Sequence, residues 1–266
     1  MSQIRPADEP IAVIKIGGSI LTSERAYESA AVFVRKLHQA SPNERFVVVV
    51  SAQEGATDSL ERTSRKIAPS PNSAALDLLW STGELRSVAL LALHLQALGV
   101  SAAALNVHEA GLRKDEGGRV QLHPRRMRRA LARHSVAVVP GFFAVDAADA
   151  VVSLGRGGSD LTAVLLAVGL AACRCELVKD VHGYFSSDPN RDASARHLPN
   201  LNFEQALALA DDGCDLVQRK AIEAAARCGL PLVVRSLDEN APLSRISAAK
   251  SDAAWTETIS SGAAIT

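Results

Sequence analysis

The sequence has 266 residues, 47% of them hydrophobic, and 29 Lys plus Arg balance 29 Asp plus Glu. That length and apolar content fit one large packed domain or two small ones and exclude a disordered chain. The zero net charge argues against a general nucleic-acid binder, which needs a basic excess. Apolar runs such as residues 46–50 fall far short of the ~20 residues of a membrane span, so no membrane partner is expected. Residues 1–10 are polar and carry acids, so no signal or transit peptide is expected and the chain is read as cytoplasmic.

Residues 11–16 read as a strand and 25–38 as a helix. Residues 46–50 are apolar throughout, as in a strand covered on both faces. A helix is expected over 74–98, broken where Ser81, Thr82 and Gly83 interrupt the pattern. A strand at 100–105 follows the Gly99 stop, then a basic helix at 125–133 and a buried strand at 136–139. A helix at 161–169, a strand at 175–178, helices at 203–210 and 220–228, and a strand at 232–235 complete the series. Strands alternating with helices imply an α/β fold, a largely parallel sheet with helices on both faces. No repeat or linker divides the chain. It reads as one domain with an N-terminal lobe of about 1–150 and a C-terminal lobe of about 151–249, hinged near 146–152, and a tail at 250–266.

Three glycine-bearing turns follow predicted strands. In Lys15-Ile16-Gly17-Gly18-Ser19, glycines let backbone N–H groups approach an anion and a lysine reaches the same anion as a point charge. An ordinary strand-to-helix turn fits the same residues, and the order is not that of a Walker A loop. In Ser51-Ala52-Gln53-Glu54-Gly55-Ala56-Thr57 the hydroxyls of Ser51 and Thr57 stand at the end of a strand, where open α/β sheets bind ligands; a plain polar loop fits better on these residues alone. In Leu154-Gly155-Arg156-Gly157-Gly158-Ser159-Asp160 three glycines, an arginine, a hydroxyl and a carboxylate crowd one helix entry. An N-cap accounts for Ser159 or Asp160 but not for Arg156, so the reading is an anion site. Glu84 could meet a substrate ammonium or favour a helix N-terminus. The loop from Asp180 to Pro189, with Tyr184 within it, is by composition only a turn.

Smaller features carry smaller claims. Cys173, Cys175, Cys214 and Cys228 match no zinc spacing and read as reduced, buried thiols. The seven histidines are scattered, and no metal site is expected. Arg125, Arg126, Arg128, Arg129 and Arg133 read as a solvated helix face.

Taken in order, these pieces resemble the amino-acid kinase superfamily, and within it aspartokinase catalytic domains, over roughly residues 11–235. The matching elements are Lys15 to Ser19, the valine-rich strand with Ser51 to Thr57, Gly83-Glu84, Gly141-Phe142, Leu154 to Asp160 without a change, and Asp180 to Gly183 with Asp188-Pro189. The resemblance implies a three-layer αβα sandwich with a central, mostly parallel sheet, and an ATP-dependent kinase that turns an amino-acid carboxylate, aspartate by default, into an acyl phosphate. It implies ATP, with Mg²⁺ bound through the nucleotide phosphates, and a homodimer. Carried over, Lys15 stabilises the transferring phosphoryl group and Asp160 orders the centre. Gly17, Gly18 and Ser19 line its path. Ser51, Thr57 and Ser159 touch the acceptor, Glu84 its amino group and Arg156 its carboxylate. Lys179, Asp180 and Tyr184 lie near the nucleotide.

Departures from the family pattern are specific. The stretch between Thr57 and Glu84 is short, Lys179 replaces a threonine, and Asn190 replaces an arginine. Ser244-Arg245-Ile246-Ser247 stands where the family closes with Gly-Thr. Nothing after about Ile246 is long enough for a regulatory domain, so feedback control of that type is not expected. Asp215 stands where aspartokinases carry a nucleotide-phosphate lysine, and a carboxylate there repels phosphates unless a metal intervenes. Lys220 is the first candidate to compensate, as a catalytic cation, and Lys179 the second. Two other readings remain: a superfamily kinase for a phosphate monoester or alcohol, and a non-catalytic ligand-binding paralogue with a regulatory role.

Overall fold

The structure is a computed structural model and describes residues 9–155, 157–189, 191–192 and 194–248. Arg156, Asn190 and the expected tail at 250–266 lie outside the described residues. In chain order the elements are β1 (Ile11–Ile16), α1 (Glu24–Ala40), β2 (Arg45–Val50), α2 (Ala56–Ile67), α3 (Ser73–Ala97), β3 (Ala102–Ala104), α4 (Val107–Ala110), β4 (Leu112–Lys114), β5 (Val120–Leu122), α5 (Arg125–Leu131) and β6 (Val136–Pro140). There follow β7 (Phe143–Val145), β8 (Val151–Ser153), α6 (Gly158–Leu170), β9 (Arg174–Val178), β10 (Tyr184–Phe185), β11 (His197–Leu198), β12 (Asn200–Asn202), α7 (Phe203–Asp211), α8 (Arg219–Cys228), β13 (Leu232–Arg235) and β14 (Ser244–Ser247). None of these helices is long and apolar enough to cross a membrane.

The main sheet runs β12-β14-β13-β9-β1-β2-β6-β3, and only the β13–β14 pair is antiparallel. Its central strands are apolar at nearly every position because both faces are covered. Side chains alternate between the faces with period 2. Val13, Val47, Val49, Val139, Cys175 and Leu177 pack on the side of α6, α7 and α8. Ala12, Ile14, Ile16, Val48, Val50 and Val138 pack on the side of α1 and α3. The result is the αβα sandwich, with one hydrophobic core on each face. A small sheet, β5-β4-β7-β8, stands apart. Residues 146–150 are the turn joining β7 to β8, closed by Asp146 Oδ1 accepting from the N–H groups of Ala148 and Ala150.

The expected break in the long helix does not occur: α3 runs unbroken through Ser81, Thr82 and Gly83. The two hydroxyls donate to the carbonyls of Leu78 and Leu79 at 2.8 and 2.7 Å, so both are satisfied within a continuous helix. Gly83 is a close approach: a Cβ there would stand 3.0 Å from the Cβ of Ala52. The segment opening with Ser51 is a loop only as far as Gly55, where α2 starts. The thiols also differ from expectation. All four are free, Cys175 alone is fully buried, Cys214 is half-buried, and Cys173 and Cys228 are exposed.

Candidate active site

The topology opens a crevice beside β1. That strand leaves through α1 on one face of the sheet, whereas its neighbour β9 is entered through α6 on the other. Ligands of open α/β sheets bind at such a reversal, outside the carboxyl ends of the strands. Lys15 continues the row of Val13 on β1, and Lys179, just past β9, continues the row of Cys175 and Leu177. Both ammonium groups therefore emerge toward α6, whose first turn carries Asp160.

The three side chains meet in a nearly closed cluster, 8% exposed for Lys15, 5% for Asp160 and 12% for Lys179. Lys15 Nζ lies 2.9 Å from Asp160 Oδ1, and Lys179 Nζ lies 2.8 Å from Oδ2 and 3.1 Å from Oδ1. The backbone N–H of Gln218 donates to Oδ2 at 3.3 Å. Burial alone would raise the Asp160 pKa, but the charges of Lys15 and Lys179 outweigh it and hold the carboxyl at about 2. Asp160 is thus an ionised organiser of two cations and cannot serve as a base near neutral pH.

The turns around the cluster are shaped by close contacts. Gly17 donates its N–H to Val178 O, and Ser51 donates its N–H to Ile16 O, each at 3.3 Å, which ties both loops to the strand ends. Gly157, at φ +71°, lies under Gln218, and a Cβ there would overlap the Gln218 side chain. A cavity of about 250 Å³ results, lined by Lys15, Ser51, Gly157, Ser159, Asp160, Lys179, Asp215 and Gln218.

Asp215 also borders a second cavity of about 260 Å³, so the two meet at that residue. Val181, Tyr184, Phe185, Pro189 and Leu216 give the second one a largely apolar wall. The buried Tyr184 hydroxyl has no hydrogen-bond partner, and burial pushes its pKa well above the ordinary phenol value. A polar chamber floored by cations thus opens toward an apolar slot.

Glu84 stands apart from this cluster, against the Ala52 loop. It is 4% exposed, and its Oε2 has no hydrogen-bond partner. Burial raises its pKa to about 7, more than backbone N–H groups at Glu84 and Ala52 can offset. A buried carboxylate with one oxygen unbonded and no counter-charge is costly to ionise.

Of the residues singled out from the sequence, Lys15, Ser51, Ser159, Asp160 and Lys179 share the first cavity, and Tyr184 lines the second. Gly17, Gly18 and Ser19 form the turn after β1, and Asp180 is exposed beside Lys179. Thr57 is half-buried on the first turn of α2. Lys220 does not join the cluster. It is exposed on the first turn of α8 and lines neither cavity, because the α8 residue that faces Asp160 is the N-cap Gln218. Arg156 lies outside the described residues. Gln218 is the contributor that sequence reasoning passed over; its only signal was its place two residues before a predicted helix.

The family model described as Amino acid kinase family matches residues 10–236. The chain is 36% identical over 231 residues to an aspartokinase of Thermus thermophilus, across 85% of this chain and 56% of that protein. It therefore spans little more than half the length of such curated relatives. Among solved structures it is similar to the aspartate kinase from Synechocystis, with a TM-score of 0.79 and 31% identity over 90% of this chain and 40% of that one. E. coli aspartokinase III in complex with aspartate and ADP shares the fold, with a TM-score of 0.78 at 23% identity over 91% of this chain and 65% of that one.

Proposed function

The chain belongs to the amino acid kinase family, and on that premise we propose that it is an ATP-dependent phosphotransferase that phosphorylates the side-chain carboxylate of aspartate. The observation that carries the reading is Asp160, buried between two lysines in a cavity that shares Asp215 with an apolar slot. In this reading the triphosphate lies over the cations, and the base lies against Val181, Tyr184 and Phe185, where the unpartnered Tyr184 hydroxyl has a hydrogen bond to give.

The acceptor sits on the Ser51 side. Its ammonium meets Glu84, and Ser51, Thr57, Ser159 and Arg156 hold its carboxylates. A carboxylate oxygen of the acceptor attacks the γ-phosphorus, the bond to the β,γ-bridging oxygen breaks, and ADP leaves with that electron pair. No proton moves, which suits a site whose buried carboxylate is held ionised by lysines and has no role as a base. Lys15 neutralises charge on the transferring group, as positioning and electrostatics dominate phosphoryl transfer. Gly17, Gly18 and Ser19 present backbone toward it.

Mg²⁺ fits as a passenger on the nucleotide. Among the described residues no three His, Cys, Asp or Glu side chains gather to hold a metal, Asp160 is committed to lysines, and Asp215 is the carboxylate left facing the cavity. When bound, the ion would disperse phosphate charge. The same reading has the enzyme work in the cytosol as a homodimer, with Leu78 and Leu93, exposed on α3, covered by the second copy.

The test is ADP release from Mg·ATP across a panel of amino acids and phosphorylated acceptors, with hydroxylamine present to trap an acyl phosphate. Hydroxamate formed from aspartate, and lost in Lys15→Ala, is the expected result. ADP release with another acceptor and no hydroxamate overturns the choice of aspartate.

A further inference from the structure

The cluster at Asp160 holds one cation more than it needs. Within the buried cluster Lys15 and Lys179 share the single carboxylate of Asp160, two cations to one anion, while the exposed Asp215 stands on the cavity wall. Burial and the neighbouring Lys15 lower the Lys179 pKa while Asp160 opposes them, so the excess charge is held at a cost. Groups perturbed by burial and neighbouring charge in a cleft mark candidate functional sites, and an anionic ligand here would balance the second cation. The position of Lys179 is a consequence of register: β9 pairs with β1, with Leu177 opposite Lys15, so one further residue on the same face brings the second ammonium to α6. Both lysines face the same cavity.

At the loop before α8 the pattern is reversed. Asp215 lines the junction of the two cavities, and Lys220 is exposed beyond it. The second cation of the chamber comes from the end of β9.

Resting on the phosphotransferase reading, we propose that Lys179 is a catalytic residue that binds the transferring phosphoryl group together with Lys15, supplying from β9 the charge that the loop before α8 lacks. As the bond to the β,γ-bridging oxygen breaks and the bond to the acceptor oxygen forms, the three equatorial oxygens of the phosphoryl group carry the charge. Both ammonium groups donate hydrogen bonds to them and keep their protons. Asp160 holds the two lysines at the spacing this requires.

The experiment is steady-state kinetics and calorimetric titration with Mg·ATP on the full chain, comparing wild type with Lys179→Ala, Lys179→Arg and Lys220→Ala. Lys179→Ala is expected to lose about 100-fold in kcat with the aspartate KM within about twofold of wild type, and to bind Mg·ATP about tenfold more weakly. Lys179→Arg keeps the charge and is expected to recover at least about tenfold of the lost rate. A kcat for Lys179→Ala within about threefold of wild type overturns the assignment, as does a loss carried by Lys220→Ala alone. Should Lys179→Ala fail to fold, Lys179→Gln against Lys179→Arg carries the test, and equal rates for the two overturn it. Wild type that releases no ADP from Mg·ATP with any acceptor refutes the phosphotransferase reading. The titration then still decides the role of Lys179, since nucleotide binding that does not depend on it overturns the assignment.

Discussion

Asp160 and Glu84 are both buried carboxylates, and the fold treats them in opposite ways. Asp160 is surrounded by lysines in the unliganded chain and held ionised, with a pKa of about 2. Glu84 keeps an oxygen without a partner and has its pKa raised to about 7. Burial pushes both upward, and the difference lies in whether the protein itself supplies the counter-charge. One carboxylate is neutralised inside the fold; the other is left without a counter-charge, and the proposed function gives it a ligand ammonium.

The most direct way to break this contrast is Asp160→Ala. Two buried ammonium groups lose their only carboxylate, so stability should fall by about 3–5 kcal/mol and phosphoryl transfer should vanish, read by urea unfolding and ADP release. A variant as stable as wild type would show that the cluster is not the buried ion network described.

Glu84→Gln should act with the opposite sign on stability. Removing a carboxylate whose ionisation is disfavoured should stabilise the unliganded protein at pH 8 by about 1–2 kcal/mol, while aspartate affinity falls about 100-fold with the loss of a charged partner for the ammonium. Thermal melts with and without aspartate measure both effects, and a destabilised variant would show that Glu84 has an internal counter-charge.

Acid sharpens the contrast from the side of Asp160. Its pKa is lowered on folding, so its contribution is present above about pH 4 and is lost as pH falls toward about 2. The shift corresponds to about 2 kcal/mol. Urea titrations between pH 5 and 2 should show that loss in wild type and not in Asp160→Asn.

The smallest effect is the pH dependence of acceptor binding. Below about pH 7 Glu84 is protonated and must release a proton to meet an ammonium. Aspartate should therefore bind about tenfold more tightly at pH 8 than at pH 6. Calorimetry in buffers of different ionisation enthalpy should detect the released proton, and Glu84→Gln should be flat across the same range.

Much of the architecture was legible in the residues. The unbroken apolar stretches at β2 and β6 mark strands covered on both faces, and the glycines after Leu154 mark the entry to α6. Other features were hidden for physical reasons. The helix α2 is polar, with Ser64 its only buried residue, so it has no apolar stripe to read. The strands β4, β5, β7 and β8 have three residues each, too few to show a period. Gly83 looked like a helix break because a glycine needed for close packing and one that ends a helix are the same residue in a sequence.

What the sequence by itself determined is the alternation of strands and helices and the set of chemistry-bearing turns, with roles for Lys15 and Asp160 coming only from the family resemblance. Local propensity and side-chain period act over a few residues, and these features lie within that reach. Only the tertiary structure decided which second cation joins them. Lys179 and Lys220 are both lysines next to plausible loops; the register of β9 on β1 turns the first toward Asp160, and the place of Gln218 at the N-cap of α8 leaves the second in solvent. The orphaned oxygen of Glu84 was likewise set by packing, since only the closure of α3 against the Ala52 loop removes water from it without supplying a partner.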